Sequence, residues 1–170
     1  MDFIELAQKR FSVRSFTSLP VSDEDLFQIL EAGRLAPTAC NKQPQRILAV
    51  RSPEGIENLK KCTECHFNAT TALIVCYDKD VCWKRPYDGH DSGDIDASIV
   101  TTHMMLEAAG LGIGTTWVMF FIPEAVKTEF SLPENWEPVA ILVMGYPSEN
   151  CVPSEMHSRR KKMTDTVLFV

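Results

Sequence analysis

The chain has 170 residues, of which 45% are hydrophobic and 24% are charged, and its formal net charge is −6. This composition is typical of a single globular domain with a sizeable core, spanning residues 1–170. The acidic balance argues against general nucleic-acid binding, and no apolar run reaches the roughly 20 residues that a membrane helix needs. Because the N-terminus also lacks the pattern of a signal peptide, we expect a cytoplasmic protein whose six cysteines are free thiols.

Capping patterns predict the first two helices. Asp2 and Glu5 have the spacing of a capping box before the first helix, and Ser22 and Asp25 repeat that arrangement before the second. The second helix is predicted to end before Pro37, because the residue that precedes a proline disfavours helical backbone.

Between these helices lies a basic segment, residues 9–16. Side chains of an extended segment alternate between two faces, so Arg10, Ser12 and Arg14 share one face. Two guanidinium groups and a hydroxyl at this spacing suit a phosphate dianion, and a solvated edge strand has the same pattern. A second basic cluster, residues 159–162, favours the anion site, because the two clusters hold seven of the 17 Lys and Arg residues.

The second helix is followed by a loop bounded by two prolines, residues 37–44. Its short polar side chains are typical of a simple turn, and they are also able to bind a flat, hydrogen-bonding ligand. Farther along, helices are predicted to begin at Ser52, at Asp94 or Asp96, and at Pro123, and buried strands at residues 47–50, 72–77, 115–120 and 139–145.

Two segments have no regular pattern. Residues 81–93 are predicted to form a long mobile loop, of the kind that often acts as a lid. The chain then ends in an irregular tail with four apolar residues, Val167–Val170. Such an end would promote aggregation unless it pairs with a sheet edge, either of the same chain or of a second subunit.

Cysteine, histidine and glycine patterns give little support to a haem, zinc or dinucleotide site. The run from Cys62 to His66 matches the C-x-x-C-H pattern of haem attachment, but such attachment belongs to exported proteins. A zinc site would need a second paired cysteine motif, which the sequence lacks. Gly110–Gly114 follows a predicted helix, whereas the phosphate loop of a dinucleotide site follows a strand. No Ser or Cys lies in the strand–turn–helix context of a nucleophile. We therefore predict no metal and no catalytic side chain.

Four motifs, in this order, resemble those of the FMN-dependent nitroreductase family. Residues 9–16 are similar to its R-R-S-x-R-x-[FY] motif, and residues 36–44 to its A-P-S-x-x-N-x-Q-P-W motif. Asp96-Ala97 followed by residues 112–117 resembles D-a-x-x-A…G-L-G-T-x-W, and residues 160–163 lie where the family has R-K-P-L. The chain departs from these patterns at Gln45, at Met119-Phe120 and at Lys162.

The resemblance implies a set of FMN-binding residues. Those implied for the phosphate and ribityl chain lie near the two ends of the sequence: Arg10, Phe11, Ser12, Arg14, Arg160 and Lys161. Those implied for the isoalloxazine ring lie in the proline-bounded loop and after the long helix: Pro37, Thr38, Ala39, Asn41, Gln43, Trp117, Val118 and Met119.

The resemblance also implies an α+β, three-layer fold with a central antiparallel-rich mixed sheet flanked by helices, in an interlocked homodimer. In the family, the proline-bounded loop reaches the flavin of the other subunit, and a C-terminal strand joins the partner's sheet. The implied function is reduction of a nitroaromatic or quinone by NAD(P)H, through ping-pong hydride transfer. Reductive dehalogenation, flavin fragmentation and a non-catalytic FMN-binding or storage role remain alternatives.

Overall fold

The computed structural model describes residues 2–170, and all statements about its elements refer to that range. The helices are α1 (Phe3–Lys9), α2 (Asp23–Leu35), α3 (Pro53–Cys62), α4 (Gly93–Gly110) and α5 (Pro123–Glu129). The strands are β1 (Gln45–Val50), β2 (Thr71–Asp78), β3 (Gly114–Val118) and β4 (Trp136–Gly145), and short 3₁₀ turns lie at Ala39–Asn41 and Met163–Asp165.

The predicted helix caps are confirmed. The Asp2 carboxylate accepts a hydrogen bond from the backbone N–H of Glu5 at 2.8 Å. The Ser22 hydroxyl accepts one from the N–H of Asp25 at 3.0 Å, and Ser52 caps α3 in the same way. Side-chain oxygens thus satisfy N–H groups that would otherwise lack a partner in the first turn of each helix.

The four strands form one sheet in the order β1-β2-β4-β3, and every neighbouring pair is antiparallel. The parallel contribution is an isolated bridge between Ser12 and Thr115, which places the basic segment beside the outer edge of β3. The antiparallel-rich mixed sheet expected from the sequence is confirmed.

Alternate residues of the central strands pack against opposite helical layers. On one face, Leu73 and Leu142 join a core cluster with residues of α2 and α4. On the other face, Ile74 and Ile141 join a second cluster with residues of α3 and α5. This period-two division is what a strand buried on both faces requires, and it confirms the predicted three-layer α+β architecture.

Strand boundaries differ from the sequence prediction by one to three residues, since β1 begins at Gln45, β2 spans Thr71–Asp78 and β4 begins at Trp136. Two further differences have a clear physical reason. Helix α4 begins at Gly93, before Asp94, and a Cβ atom on Gly93 would lie 2.1 Å from the Tyr77 ring. The absence of a side chain therefore lets the first turn pack directly on β2. Strand β3 ends at Val118, before Met119 and Phe120, because the chain turns there and the N–H of Ile122 bonds to the carbonyl of Cys62 at 2.9 Å.

Residues 81–93, predicted to form a mobile loop, fold back on themselves. Lys84 and Asp91 form an antiparallel bridge, and the N–H of Arg85 donates to the carbonyl of His90 at 2.8 Å. The Arg85 side chain also pairs with Asp88. This compact turn precedes α4, and a lid role for it stays a prediction.

The C-terminal tail, residues 149–170, is irregular apart from one 3₁₀ turn. Its last four residues form no strand, and the side chains of Leu168 and Phe169 are 83% and 90% exposed. Within residues 2–170 the apolar end is therefore not paired with a sheet edge of its own chain, and its pairing with another subunit stays a prediction.

Candidate functional site

The two basic clusters of the sequence meet in one cavity. Its volume is about 250 Å³, and Arg10, Ser12 and Arg14 form one wall while Arg160 from the tail forms another. The remaining lining residues come from the same two segments: Phe11, Ser154, Met156 and His157. We call this cavity the basic cradle. Lys161, also predicted to bind the cofactor, is exposed and does not line it.

The basic segment is held in place by its apolar underside and by β3. The Val13 side chain is buried, as alternation predicts, and its N–H donates to the carbonyl of Thr115 at 2.9 Å. The Thr116 hydroxyl donates back to the carbonyl of Val13. These contacts fix the backbone on both sides of Val13, so that Arg10, Ser12 and Arg14 lie along the wall of the cradle.

The cradle concentrates positive charge. Among residues 2–170, no carboxylate lies within 4.0 Å of the guanidinium nitrogens of Arg10, Arg14 or Arg160 in an ion pair. Partial burial, together with the nearby charge of Arg160, lowers the pKa of Arg10. A bound dianion would relieve this repulsion and satisfy the guanidinium donors, so the donor set fits a phosphate group.

The loop between Pro37 and Pro44 is tightly ordered. The backbone N–H of Asn41 bonds to the carbonyl of Thr38 at 3.0 Å, and the N–H of Gln43 bonds to the Thr38 hydroxyl, also at 3.0 Å. Three of its residues have left-handed backbone, with φ values of 49° for Cys40, 52° for Asn41 and 50° for Gln43. Such conformations cost free energy for side chains other than glycine and concentrate at functional sites.

A buried carboxylate ties this loop to α4. Asp96 is 1% exposed, and it accepts hydrogen bonds from the N–H of Ala39 at 2.8 Å and from the Ser92 hydroxyl at 2.7 Å. Asp96 belongs to one of the four family motifs, but its sequence context alone predicted no role for it. The sequence could have indicated that Asp96 is buried, because it continues the i, i+4 stripe of Val100 and Met104 that faces the core.

Replacing Asp96 with Ala is expected to lower the free energy of unfolding by about 1.5–3 kcal/mol, the usual contribution of a hydrogen bond to a charged group. The substitution leaves the N–H of Ala39 and the Ser92 hydroxyl without their acceptor. Urea denaturation would measure the loss. Asp96→Asn keeps an oxygen for Ala39 and should lose less, and Asp94→Ala, on the exposed side of the same turn, should lose least. Equal losses at both aspartates would contradict the tethering role.

The third predicted group follows the end of β3. Trp117 is half-buried against the α2/α4 cluster, whereas the Val118 side chain is buried in the α3/α5 cluster. Met119 lies beyond the strand and is 66% exposed. Because adjacent side chains of a strand point to opposite faces, a ligand here can contact the backbone of Val118 but not its side chain.

Within one chain the proline-bounded loop and the basic cradle are not brought together. The proline-bounded loop contacts Asp96 in the first turn of α4, whereas the segment that forms the cradle lies beside Ala109, in the last turn, and Thr115. At 1.5 Å per residue, Asp96 and Ala109 are about 20 Å apart along the helix. The loop and the cradle of one chain therefore lie at opposite ends of α4.

Buried cysteines are poor candidates for a reactive centre. Burial raises the pKa of the Cys62 thiol to about 11, so the thiolate is scarce at neutral pH. Within residues 2–170, no group of three or more His, Cys, Asp or Glu side chains is arranged to hold a metal ion. In the same range, no helix is long and apolar enough to cross a membrane.

Comparisons with known proteins agree with this arrangement of motifs. A model of the nitroreductase family matches residues 7–73 and 60–146. An archaeal protein from Archaeoglobus fulgidus, provisionally named NADH dehydrogenase/NAD(P)H nitroreductase, is 33% identical over 156 residues, which cover 86% of each chain.

Two crystal structures extend the likeness to the fold. A nitroreductase family protein from Clostridium difficile has a TM-score of 0.94 and 44% identity, over 99% of this chain and 98% of its own. A provisionally named nitroreductase from Desulfovibrio desulfuricans, crystallised in complex with FMN, has a TM-score of 0.81 and 27% identity, over 98% and 95% of the two chains. The chain therefore belongs to the nitroreductase family.

Proposed function

We propose that this chain, as a single domain of residues 1–170, is an FMN-dependent oxidoreductase that uses NAD(P)H to reduce an electron-poor acceptor of the nitroaromatic or quinone class. The observation that carries the proposal is the basic cradle, in which Arg10, Arg14 and Arg160 have no carboxylate partner among the described residues. FMN ends in a phosphate, and the Desulfovibrio relative was crystallised in complex with FMN.

The residues divide into two functions. In the cradle, Arg10, Ser12, Arg14 and Arg160 would bind the phosphate, and Phe11 would form part of the wall. Lys161 would act at longer range, since it lies outside the cavity. The isoalloxazine ring would be held by Trp117, the backbone of Val118 and Met119. It would also contact residues of the proline-bounded loop, namely Pro37, Thr38, Ala39, Asn41 and Gln43.

A homodimer would bring these two groups together. The loop and the cradle of one chain lie about 20 Å apart along α4, so a second chain would have to supply the loop that faces a given cradle. Helix α4 also has a half-exposed apolar stripe, with Ile95 54% exposed and Ile99 beside it. A helix that is apolar on two faces is typical of one covered by a second layer, which supports a partner on that side.

Bound FMN would supply the hydride transfer, while the protein supplies position and electrostatics. Asp96 fixes the backbone of Ala39, and the cradle would hold the phosphate, so the polypeptide would position FMN both at the ring and at the phosphate. No side chain of this set is required as an acid, base or nucleophile. The cytoplasmic location expected from the sequence stays a prediction.

The test is whether the purified protein is yellow, holds about one FMN per chain and loses its flavin absorbance on anaerobic addition of NAD(P)H. Because one open face of the flavin would bind NAD(P)H and the acceptor in turn, we expect parallel double-reciprocal lines with a quinone or nitroaromatic acceptor. Intersecting lines would show a ternary complex and refute the ping-pong scheme.

The same measurements separate the alternative functions. Bound FMN that NAD(P)H fails to bleach would favour a storage protein. Bleaching followed by turnover with halogenated acceptors alone would favour reductive dehalogenation. Loss of the flavin itself during turnover would favour fragmentation.

A further inference from the structure

The tail that carries Arg160 has a single polar anchor on the rest of the chain. From residue 149 to 170, the hydrogen bonds and ion pairs found in the described structure join tail residues to one another or to Ser148, with one exception. In that exception, Nε2 of His157 lies 2.9 Å from the carbonyl oxygen of Gln8, on α1. Because a carbonyl only accepts, the imidazole donates this hydrogen bond.

The His157 ring has a second contact with the body. Its centroid lies 6.2 Å from that of Phe11, with the ring planes at 66°, which is an edge-to-face arrangement. Gln8 and Phe11 flank Arg10 in the sequence, so the imidazole is seated on the backbone that presents Arg10. Aromatic rings in this geometry attract each other in addition to burying area.

His157 also holds Arg160 directly. The Arg160 guanidinium donates to the carbonyl of His157 and, at 2.9 Å, to the carbonyl of Arg159. These bonds set the direction of the guanidinium from the same residue whose ring is fixed on α1. The position of Arg160 in the cradle thus depends on contacts made by His157, and both residues line the cavity.

We propose that His157 is a positioning residue that holds Arg160 in the basic cradle and thereby couples phosphate binding to the placement of the C-terminal tail. This inference rests on the proposed function, since it assumes that the cradle binds the FMN phosphate. It predicts that FMN fixes the tail on the body through Arg160 and His157, whereas riboflavin, which lacks the phosphate, does not.

The experiment compares FMN and riboflavin binding by the full-length protein and its variants. His157→Ala should lower FMN affinity about tenfold or more, close to the effect of Arg160→Ala, because release of the imidazole from α1 is expected to withdraw the Arg160 guanidinium from the phosphate. Riboflavin affinity should change less than twofold in both. The double variant should bind FMN no more weakly than Arg160→Ala alone, since the two residues act as one unit.

A second readout follows the tail itself. The run Arg159-Arg160-Lys161-Lys162 offers trypsin sites within two residues of Arg160, which lines the cradle. We expect FMN, but not riboflavin, to slow cleavage there in the unaltered protein, and His157→Ala to abolish that protection. His157→Gln keeps a donor for the Gln8 carbonyl and should retain part of the protection. Arg159→Ala, outside the cavity, removes one trypsin site but should keep full FMN protection at the remaining sites.

The outcomes separate the two proposals. If the unaltered protein bound FMN and riboflavin equally, the proposed phosphate site would fail. If FMN were preferred and Arg160→Ala weakened it, but both His157 variants left affinity and protection unchanged, the phosphate site would stand and the positioning role of His157 would be refuted.

Discussion

Replacing Arg10 with Ala is expected to weaken FMN binding by about 10- to 150-fold, which corresponds to the loss of one charge-assisted hydrogen-bonded contact of about 1.5–3 kcal/mol. Arg10 is partly buried in the cradle, and its pKa is lowered by that burial and by the charge of Arg160. The free protein therefore carries a repulsion between Arg10 and Arg160 that a bound phosphate would relieve. We expect the flavin-free variant to lose no stability while it loses affinity.

Isothermal titration of the flavin-free protein with FMN would measure the effect of Arg10→Ala. Lys9→Ala is the matched control, because Lys9 is exposed at the end of α1 and does not line the cradle. Riboflavin separates the phosphate from the ring, and its affinity should hardly change. Equal, small effects at Lys9 and Arg10 would show that the basic segment is only a solvated edge.

Removal of Val167–Val170 is expected to convert the proposed dimer largely to monomers and to release FMN with it. These residues form no strand in their own chain, and Leu168 and Phe169 are almost fully exposed. Burial of such a side chain against a partner contributes about 1.5–3 kcal/mol, and a symmetric dimer makes each contact twice. Burial of Leu168 and Phe169 in both subunits would therefore contribute about 6 kcal/mol or more. Half of that, about 3 kcal/mol, changes the dissociation constant of the dimer by more than 100-fold.

Analytical ultracentrifugation and flavin absorbance, measured on the same sample, would follow both effects of the truncation. A full-length variant with Ser at Leu168 and Phe169 tests side-chain burial without shortening the chain, and Val152→Ser, at another exposed apolar position of the tail, is the control. A truncated protein that stayed dimeric and fully flavinated would refute the structural role of the tail. Loss of FMN from a stable dimer would separate flavin retention from assembly.

Local sequence determined the helices, the strands and the family. Helix starts at Asp2 and Ser22 are decided by a side-chain oxygen three residues from an unsatisfied N–H, an interaction that lies within one turn. The continuous apolar runs of β2 and β4 predicted buried strands, and burial on both faces is consistent with the three-layer fold that the family resemblance implied. Four motifs spaced along the whole chain were specific enough to identify the nitroreductase family.

Alternation in an extended segment predicted that Arg10, Ser12 and Arg14 share a face, and all three line the cradle, but Phe11 between them lines it as well. Prediction from sequence failed where a side chain acts across a long separation. Asp96 bonds to Ala39, 57 residues away, and His157 to Gln8, 149 residues away. No local pattern encodes such a pair, because each hydrogen bond forms only after the layers have packed.

Tertiary structure alone decided which predicted residues can share a ligand. The end of β3 after Val118 exposes Met119, while the burial of the Val118 side chain in the α3/α5 layer leaves only its backbone for binding. The length of α4 decides that the proline-bounded loop and the cradle of one chain lie at opposite ends of a helix of 18 residues. Sequence reveals that both groups exist, but their separation follows from the packing of that helix across the sheet.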